Sequence, residues 1–346
     1  MLYPTSRLRI LIVRLSAIGD VLHTLPVLNA LRDAFPHAFL SWVVDSRAAD
    51  LLRGHKSLDE LVVVPRGWAT SPVAAWRLWR HLKARRFDVA LDVQGLTKSS
   101  AAAWLSGARR RIGYGGRDAR ELSRCFNNEL VLASASHIID RNLELLRPLG
   151  IATPPVRFDL PEDRAEAVMA EDAIVRLALG SGYAVINPGA GWPSKLWPAK
   201  RYGGVARFLG ATLGLPSLVV WAGSRERAWA EEIESGSGGH ARLAPSTTLL
   251  ELAAILRRAR LFVGSDTGPL HLAVAVGTPS VGMFGPMPAE RNGPYGPGHA
   301  AVEEMAFAGT NRRQRRTDPA PMAAIGVERV CAACERLLSR PLERCA

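Results

Sequence analysis

The chain has 346 residues, room for two domains of ordinary size, and 48% of them are hydrophobic, enough for a core in each. No apolar run reaches the length of a membrane span, and the stretch from Ile10 to Leu15 is too short for a signal peptide, so a cytoplasmic protein is expected. The net charge of +12 is uneven: residues 1–155 hold 22 Lys/Arg against 13 Asp/Glu, residues 156–346 hold 22 against 19, and the first half should meet something anionic.

The first apolar run, 10–15, reads as a strand. It leads into Arg14-Leu15-Ser16-Ala17-Ile18-Gly19-Asp20 and then a helix near 21–34. Gly19 permits a tight turn, and Asp20 stands at the helix start, where a carboxylate serves either as N-cap or as general base. Strands are predicted at 39–44, 61–64 and 89–93, and helices near 73–84, 99–105 and 138–149. Between Arg66 and Arg86 lie six Lys/Arg and no acid, interleaved with Trp68, Trp76 and Trp79. That mixture suits a membrane interface, or a basic surface helix with its tryptophans in the core. The segment from Gly150 to Pro155 begins a linker.

The second half repeats the rhythm, with strands at 184–187, 218–221, 261–263 and 280–283. The alternation argues an α/β fold: two Rossmann-like domains, 1–155 and 156–324, facing each other across a cleft, with ligands at the carboxyl ends of the strands. Neither half carries G-x-G-x-x-G after its first strand, and no G-x-x-x-x-G-K-[ST] occurs, which disfavours dinucleotide oxidoreductases and nucleoside triphosphatases. Four cysteines do not frame a chain this long with disulfides. Cys331 and Cys334 lack a second pair or a nearby histidine for zinc, and read as small residues on one face of a helix over 325–338.

Three loops of the second half carry chemistry. Asn187-Pro188-Gly189-Ala190-Gly191-Trp192-Pro193-Ser194-Lys195 exposes backbone N–H groups and one lysine, a seat for phosphate. Trp221-Ala222-Gly223-Ser224-Arg225-Glu226 ends in a carboxylate that can take ribose hydroxyls or simply favour a helix N-terminus. Gly264-Ser265-Asp266-Thr267-Gly268-Pro269-Leu270-His271 reads as strand, turn and helix start, where free N–H groups and the helix dipole favour a diphosphate. Its bland reading is an N-cap pair and a core histidine.

Taken together with Asp92-Val93-Gln94-Gly95-Leu96-Thr97-Lys98-Ser99 and Lys195-Leu196-Trp197-Pro198, these motifs give the chain a family. It resembles glycosyltransferase family 9, the lipopolysaccharide heptosyltransferases, most closely the heptosyltransferase I branch, over nearly its whole length. The resemblance implies a two-domain GT-B enzyme with no cofactor and no metal, consistent with the absence of D-x-D. The donor would be ADP-heptose on the C-terminal domain. The acceptor would be anionic Kdo-lipid A on the N-terminal domain, with peripheral contact at the inner leaflet, and residues 325–346 would pack back toward that domain.

Carried over by motif, Asp20 would be the catalytic base. Asn187, Gly189, Ala190, Gly191, Lys195, Glu226, Thr247, Asp266, Thr267, Gly268 and His271 would hold the donor, with Thr247 near the adenine. Ser16, Gly19, Gln94, Lys98, Arg66 and Arg77 would serve the acceptor. Heptosyltransferase I can carry two threonines where this chain has Ala190 and Gly191, which offer backbone contacts only. Arg312-Arg313-Gln314-Arg315-Arg316 has no counterpart and reads as a flexible loop. Alternatives are heptosyltransferase II, another donor or acceptor, or a non-catalytic sugar-nucleotide binder. An epimerase would need a second acid/base set, and a nucleic-acid binder a reading motif; neither is evident, and no nucleic-acid partner is expected.

Overall fold

The computed structural model describes residues 8–180, 182–309 and 311–339, and divides into two compact units between Pro161 and Glu162, a few residues beyond the division expected at 155. The first unit holds β1 (Arg9–Val13), β2 (Phe39–Asp45), β3 (Glu60–Val64), β4 (Val89–Asp92), β5 (Arg110–Tyr114) and β6 (Glu129–Val131), ordered β3-β2-β1-β4-β5-β6. The second holds β7 (Ala184–Asn187), β8 (Ser217–Val219), β9 (Ala241–Leu243), β10 (Leu261–Ser265), β11 (Ser280–Phe284) and β12 (His299–Glu303), ordered β12-β11-β10-β7-β8-β9. All pairings are parallel. Counted from its own first strand, each sheet has the same doubly wound order. Strand direction of growth reverses between β1 and β4 in one unit and between β7 and β10 in the other. Such a switch point opens a crevice at the carboxyl ends of its two strands.

Central strands are apolar without alternation because helices cover both faces: Ile10, Leu11, Ile12 and Val13 of β1 and Leu261, Phe262 and Val263 of β10 are fully buried. Four strands carry no continuous apolar run: β6, β9 and β12 are edge strands and β5 lies next to one, while β3, also an edge, is apolar. Between β5 and β6, charge adds to apolar contact. Arg110 of β5 pairs with Glu129 of β6 at 2.7 Å, and the Arg111 N–H donates to the Asn128 side chain at 2.7 Å.

The single helix expected over 21–34 is two, Ile18–Leu22 and Leu25–Ala34. Pro26, in the first turn of the second, has no N–H to continue the first, and the Thr24 hydroxyl bonds the Asp20 carbonyl at 2.9 Å across the break.

One further expectation is corrected beyond β12: the arginine run is not a flexible loop but a helix, Arg312–Thr317, capped by the Asn311 side chain, which accepts from the Arg313 N–H at 2.8 Å. The last helix, Val327–Leu338, buries Val330, Cys331, Ala333, Cys334 and Leu337 in the core of the second unit. Trp197 Nε1 fixes its approach by donating to the Ile325 carbonyl at 3.0 Å. Cys331 and Cys334 are thus core residues, with burial pushing the Cys331 thiol up to about 11; Cys345 lies outside the described residues. Among the described residues no helix is long and apolar enough to cross a membrane.

Candidate active site

In the second unit, the helix Gly268–Ala275 starts immediately after β10 and lies close against the sheet. Glycine permits this. A Cβ at Gly282 of β11 would stand 2.7 Å from Leu270 Cδ2 and 2.8 Å from Phe284 Cε2, so a side chain there would press on the packing of Leu270, a residue of this helix. The close approach sets the helix start over the switch point, beside the loop that leaves β7. Register confirms the neighbourhood: Gly264 of β10 lies opposite Asn187, the last residue of β7.

Asp266 is the centre of the cluster. Its Oδ2 lies 2.6 Å from Lys195 Nζ, its Oδ1 3.0 Å from His271 Nε2, and its own carbonyl accepts from Lys195 Nζ at 2.9 Å. A carboxylate can only accept, so His271 presents the Nε2 proton. Burial by itself would raise the Asp266 carboxyl. The His271 hydrogen bond and the Lys195 charge outweigh it and hold the group down at about 2. The residue therefore stays ionised, and Lys195, His271 and the turn at Thr267 become one rigid unit. The sequence reading had assigned Lys195, Asp266 and His271 to the ligand separately; here they hold one another. Two of the three Lys195 protons are committed to Asp266, which leaves one for a ligand.

The other two loops join this centre. Asn187 Nδ2 donates to the Gly189 carbonyl at 3.1 Å and to Thr267 Oγ1 at 3.4 Å, tying the β7 loop to the β10 turn. The Glu226 carboxyl lies directly against Gly189, where a Cβ would come within 2.4 Å of it, and its Oε2 accepts from the Ala222 N–H at 2.9 Å. Burial pushes its pKa above the ordinary carboxylate range, against the Ala222 hydrogen bond. Ala190 is half-buried and Gly191 exposed, so this stretch offers backbone groups. Gly268 opens the helix, whose second residue, Pro269, has no N–H of its own. Thr247 is half-buried just ahead of Thr248, which caps the helix Leu249–Arg258. Its loop is tied to the Glu226 loop by Trp221 Nε1, which donates to the Ala244 carbonyl at 2.8 Å.

In the first unit, Asp20 lies past the carboxyl end of β1. It is not the N-cap, which is Ala17, but the third residue of the helix, and its Oδ2 reaches back to accept from the Ala17 N–H at 3.1 Å. Its Oδ1 is 2.7 Å from Arg14 Nη2, and the Asp20 side chain remains 44% exposed while that of Arg14 is 6% exposed. Arg14 in turn donates from Nη1 to the Val93 carbonyl at 2.6 Å. Both oxygens are held, yet the side chain stays partly exposed, and a carboxylate so oriented still has lone pairs to take a proton from an incoming hydroxyl. Arg14, which orients Asp20, is the candidate-site residue that sequence reasoning missed. Its signal was a lone arginine at the end of a fully apolar strand, a position that needs a partner nearby.

Gln94 proves structural in part. Its Oε1 accepts from the Leu15 N–H at 2.9 Å and so pins the loop holding Ser16 and Gly19, both half-buried. Lys98 is exposed in the first turn of the helix Thr97–Leu105; burial raises the Asp45 carboxyl, and Arg47, with a smaller contribution from the Lys98 charge, outweighs it and holds that carboxyl below its ordinary value. Arg66 and Arg77 are exposed beyond the carboxyl end of β3 and on the helix Pro72–Arg85; β3 is two strands removed from β1.

The geometry agrees with three likenesses. A relative, lipopolysaccharide heptosyltransferase 1 of Salmonella typhimurium, is 29% identical over 300 residues, 84% of this chain and 92% of its own length. A glycosyltransferase family 9 crystal structure from Veillonella parvula superposes with a TM-score of 0.84 at 23% identity, covering 95% of this chain and 97% of the other. The Escherichia coli heptosyltransferase WaaC with ADP-2-deoxy-2-fluoro heptose superposes with a TM-score of 0.74 at 24% identity, covering 95% and 99%. The fold is α/β of the GT-B type. The model of glycosyltransferase family 9 (heptosyltransferase) matches residues 75–320, which include the Lys195, Asp266 and His271 cluster, and the chain belongs to that family of enzymes.

Proposed function

We propose that this heptosyltransferase moves heptose from ADP-heptose to the Kdo-lipid A inner core, with inversion, without a metal, in the heptosyltransferase I role. The observation that carries the reading is the Lys195–Asp266–His271 cluster at the β7/β10 switch point, a preorganised seat for a leaving diphosphate. The name of the Salmonella relative and the ligand of the WaaC structure support the donor.

The chemistry follows from the two carboxylate environments. The acceptor hydroxyl oxygen attacks the anomeric carbon, the bond to the diphosphate oxygen breaks with its electron pair, and the hydroxyl proton passes to Asp20. Negative charge grows on the diphosphate as the sugar becomes oxocarbenium-like. The remaining Lys195 proton and the N–H groups at Thr267 and Gly268 would meet that charge and so stabilise the transition state. Asp266, held at about 2 by its neighbours, stays ionised and anchors Lys195 rather than exchanging protons. Asp20 acts as base and Arg14 fixes its orientation. The exposed Trp76 and Trp79, with the arginines around them on the helix Pro72–Arg85, form the membrane-facing surface of a peripheral protein on the cytoplasmic side.

Calorimetry without added metal tests the donor, using ADP, UDP, GDP, ADP-heptose and UDP-N-acetylglucosamine. ADP and ADP-heptose should bind, and Lys195→Ala should weaken both by roughly tenfold or more, the worth of a charge-assisted hydrogen bond. Preference for UDP or GDP would overturn the donor. Asp20→Ala should lower turnover at least ~100-fold with donor affinity unchanged. Arg14→Met should lower turnover as well, with Arg14→Lys recovering part of it; full turnover in both Asp20→Ala and Arg14→Met removes the base assignment. Transfer to a core already carrying its first heptose, with none to Kdo-lipid A, would move the chain to the heptosyltransferase II role.

A further inference from the structure

The helix Arg312–Thr317 packs against the turn Pro193–Lys195 of the donor loop. The Arg316 guanidinium lies 4.8 Å from the centre of the Trp192 ring, and Lys195 Nζ lies 4.9 Å from the centre of the same ring. One indole thus positions two cations. Of the two, Lys195 is already paired with Asp266 at 2.6 Å. Arg316 is exposed and, among the described residues, in ion-pair contact with no carboxylate. Arg315, its neighbour, is turned instead toward Phe307, 5.4 Å from that ring's centre.

The three loops hold two cations, Lys195 and Arg225, against two carboxyl groups, Asp266 and Glu226, and the Arg225 guanidinium lies 4.9 Å from the centre of the Trp229 ring. The lysine charge is largely balanced by Asp266, so the loops by themselves present little net positive charge to a ligand. A nucleoside diphosphate carries at least two negative charges at neutral pH, and more of that charge collects on the leaving oxygen during transfer. Backbone N–H groups supply partial charges only. An arginine held over an indole is restrained at small entropic cost and keeps N–H groups for a phosphate contact.

We propose that Arg316, stacked on Trp192, is a donor-binding residue that contacts the diphosphate beside Lys195. The inference rests on the donor reading above and extends it to a segment outside the motifs that define the site. Trp192 is the positioning residue: it holds Arg316 at the loop without touching the ligand.

The test compares the full-length protein with Arg316→Leu, Arg316→Lys and Trp192→Leu, titrated by calorimetry with ADP, AMP and adenosine. Arg316→Leu keeps the packing bulk and removes the charge. It should weaken ADP by roughly tenfold, weaken AMP less and leave adenosine unchanged. Arg316→Lys should fall between, because the charge stays and the planar fork is lost. Trp192→Leu should reproduce the Arg316→Leu loss for ADP, and combining the two should add little. Unchanged ADP affinity in Arg316→Leu overturns the proposal. So does an equal loss for ADP and adenosine, which would mean that Arg316 only supports the loop. If the unsubstituted protein binds UDP or GDP in place of ADP, the donor reading fails, while the Arg316 contact stands or falls on the same series run with that diphosphate, its monophosphate and its nucleoside.

Discussion

Asp266 sits between two partners, Lys195 at 2.6 Å and His271 at 3.0 Å. Its place after a strand and before a helix was readable because Gly264, Pro269 and the flanking apolar runs punctuate the chain. That Lys195, 71 residues away, would reach back to it was not, because sequence spacing is silent on which loops meet at a switch point. The pairing has a consequence for acid stability. Unfolded, the carboxyl titrates at its ordinary 3.8; folded, it is held at about 2, so the ionised form is favoured by folding. The gain, about 2 kcal/mol, is fully present above pH ~4 and is lost as pH falls through ~2. Asp266→Asn should therefore be less stable than the parent by about that amount at pH 7, with the gap narrowing steadily between pH ~4 and pH ~2. Urea denaturation of both proteins at stepped pH measures it. A gap that is constant across this range would mean that Lys195 and His271 do not stabilise the ionised carboxylate. Arg14 is the complementary case. A buried cation had to have a partner, and Asp20, six residues on, was the nearest acid, but only the turn between them brings the two side chains to 2.7 Å.

At the scale of elements, strands with a continuous apolar run announced themselves, the edge strand β3 among them, and β5, β6, β9 and β12 did not. Burial on both faces demands continuous apolar side chains, as in β1 and β10, while β5 and β6 are held by an Arg110–Glu129 pair that reads as loop when seen in sequence alone. The arginine run at 312–316 deceived for a related reason. Like charges argue against a helix, yet the Asn311 cap and the aromatic faces of Trp192 and Phe307 give those charges places to go. Glycine in β11 carries a different kind of information, since it is what lets the helix Gly268–Ala275 lie close. Gly282→Ala should drive a methyl group into Leu270 and cost about 1–3 kcal/mol by overpacking. Because the displaced element is the one that starts at the diphosphate seat, ADP affinity should fall together with the melting temperature. A variant that melts like the parent and binds ADP like the parent would show that the close approach of the helix is unimportant to the site.

Across the whole molecule, the same strand order is used twice with different surfaces. Residues 1–155 carry an excess of nine positive charges and residues 156–346 an excess of three, so the unit proposed to meet the acceptor is the more basic. Within it the helix Pro72–Arg85 leaves Trp76 49% and Trp79 43% exposed, with the Arg80 guanidinium 4.4 Å from the Trp76 ring centre. Indoles flanked by arginines insert at the level of lipid headgroups, and the two contributions respond differently to salt. Raising the salt from about 0.01 M to about 1 M shortens the screening length from ~30 Å to ~3 Å and should strip most binding to vesicles rich in phosphatidylglycerol. What survives at high salt is the aromatic part, and Trp76→Ser with Trp79→Ser should abolish it while leaving ADP binding intact, because both residues lie in the first unit and the donor loops in the second. Equal binding to phosphatidylcholine vesicles at low salt would refute the charge argument. Salt-resistant binding that persists in the doubly substituted protein would refute the assignment of the helix as the lipid-facing surface, since the aromatic contribution would then come from another part of the chain.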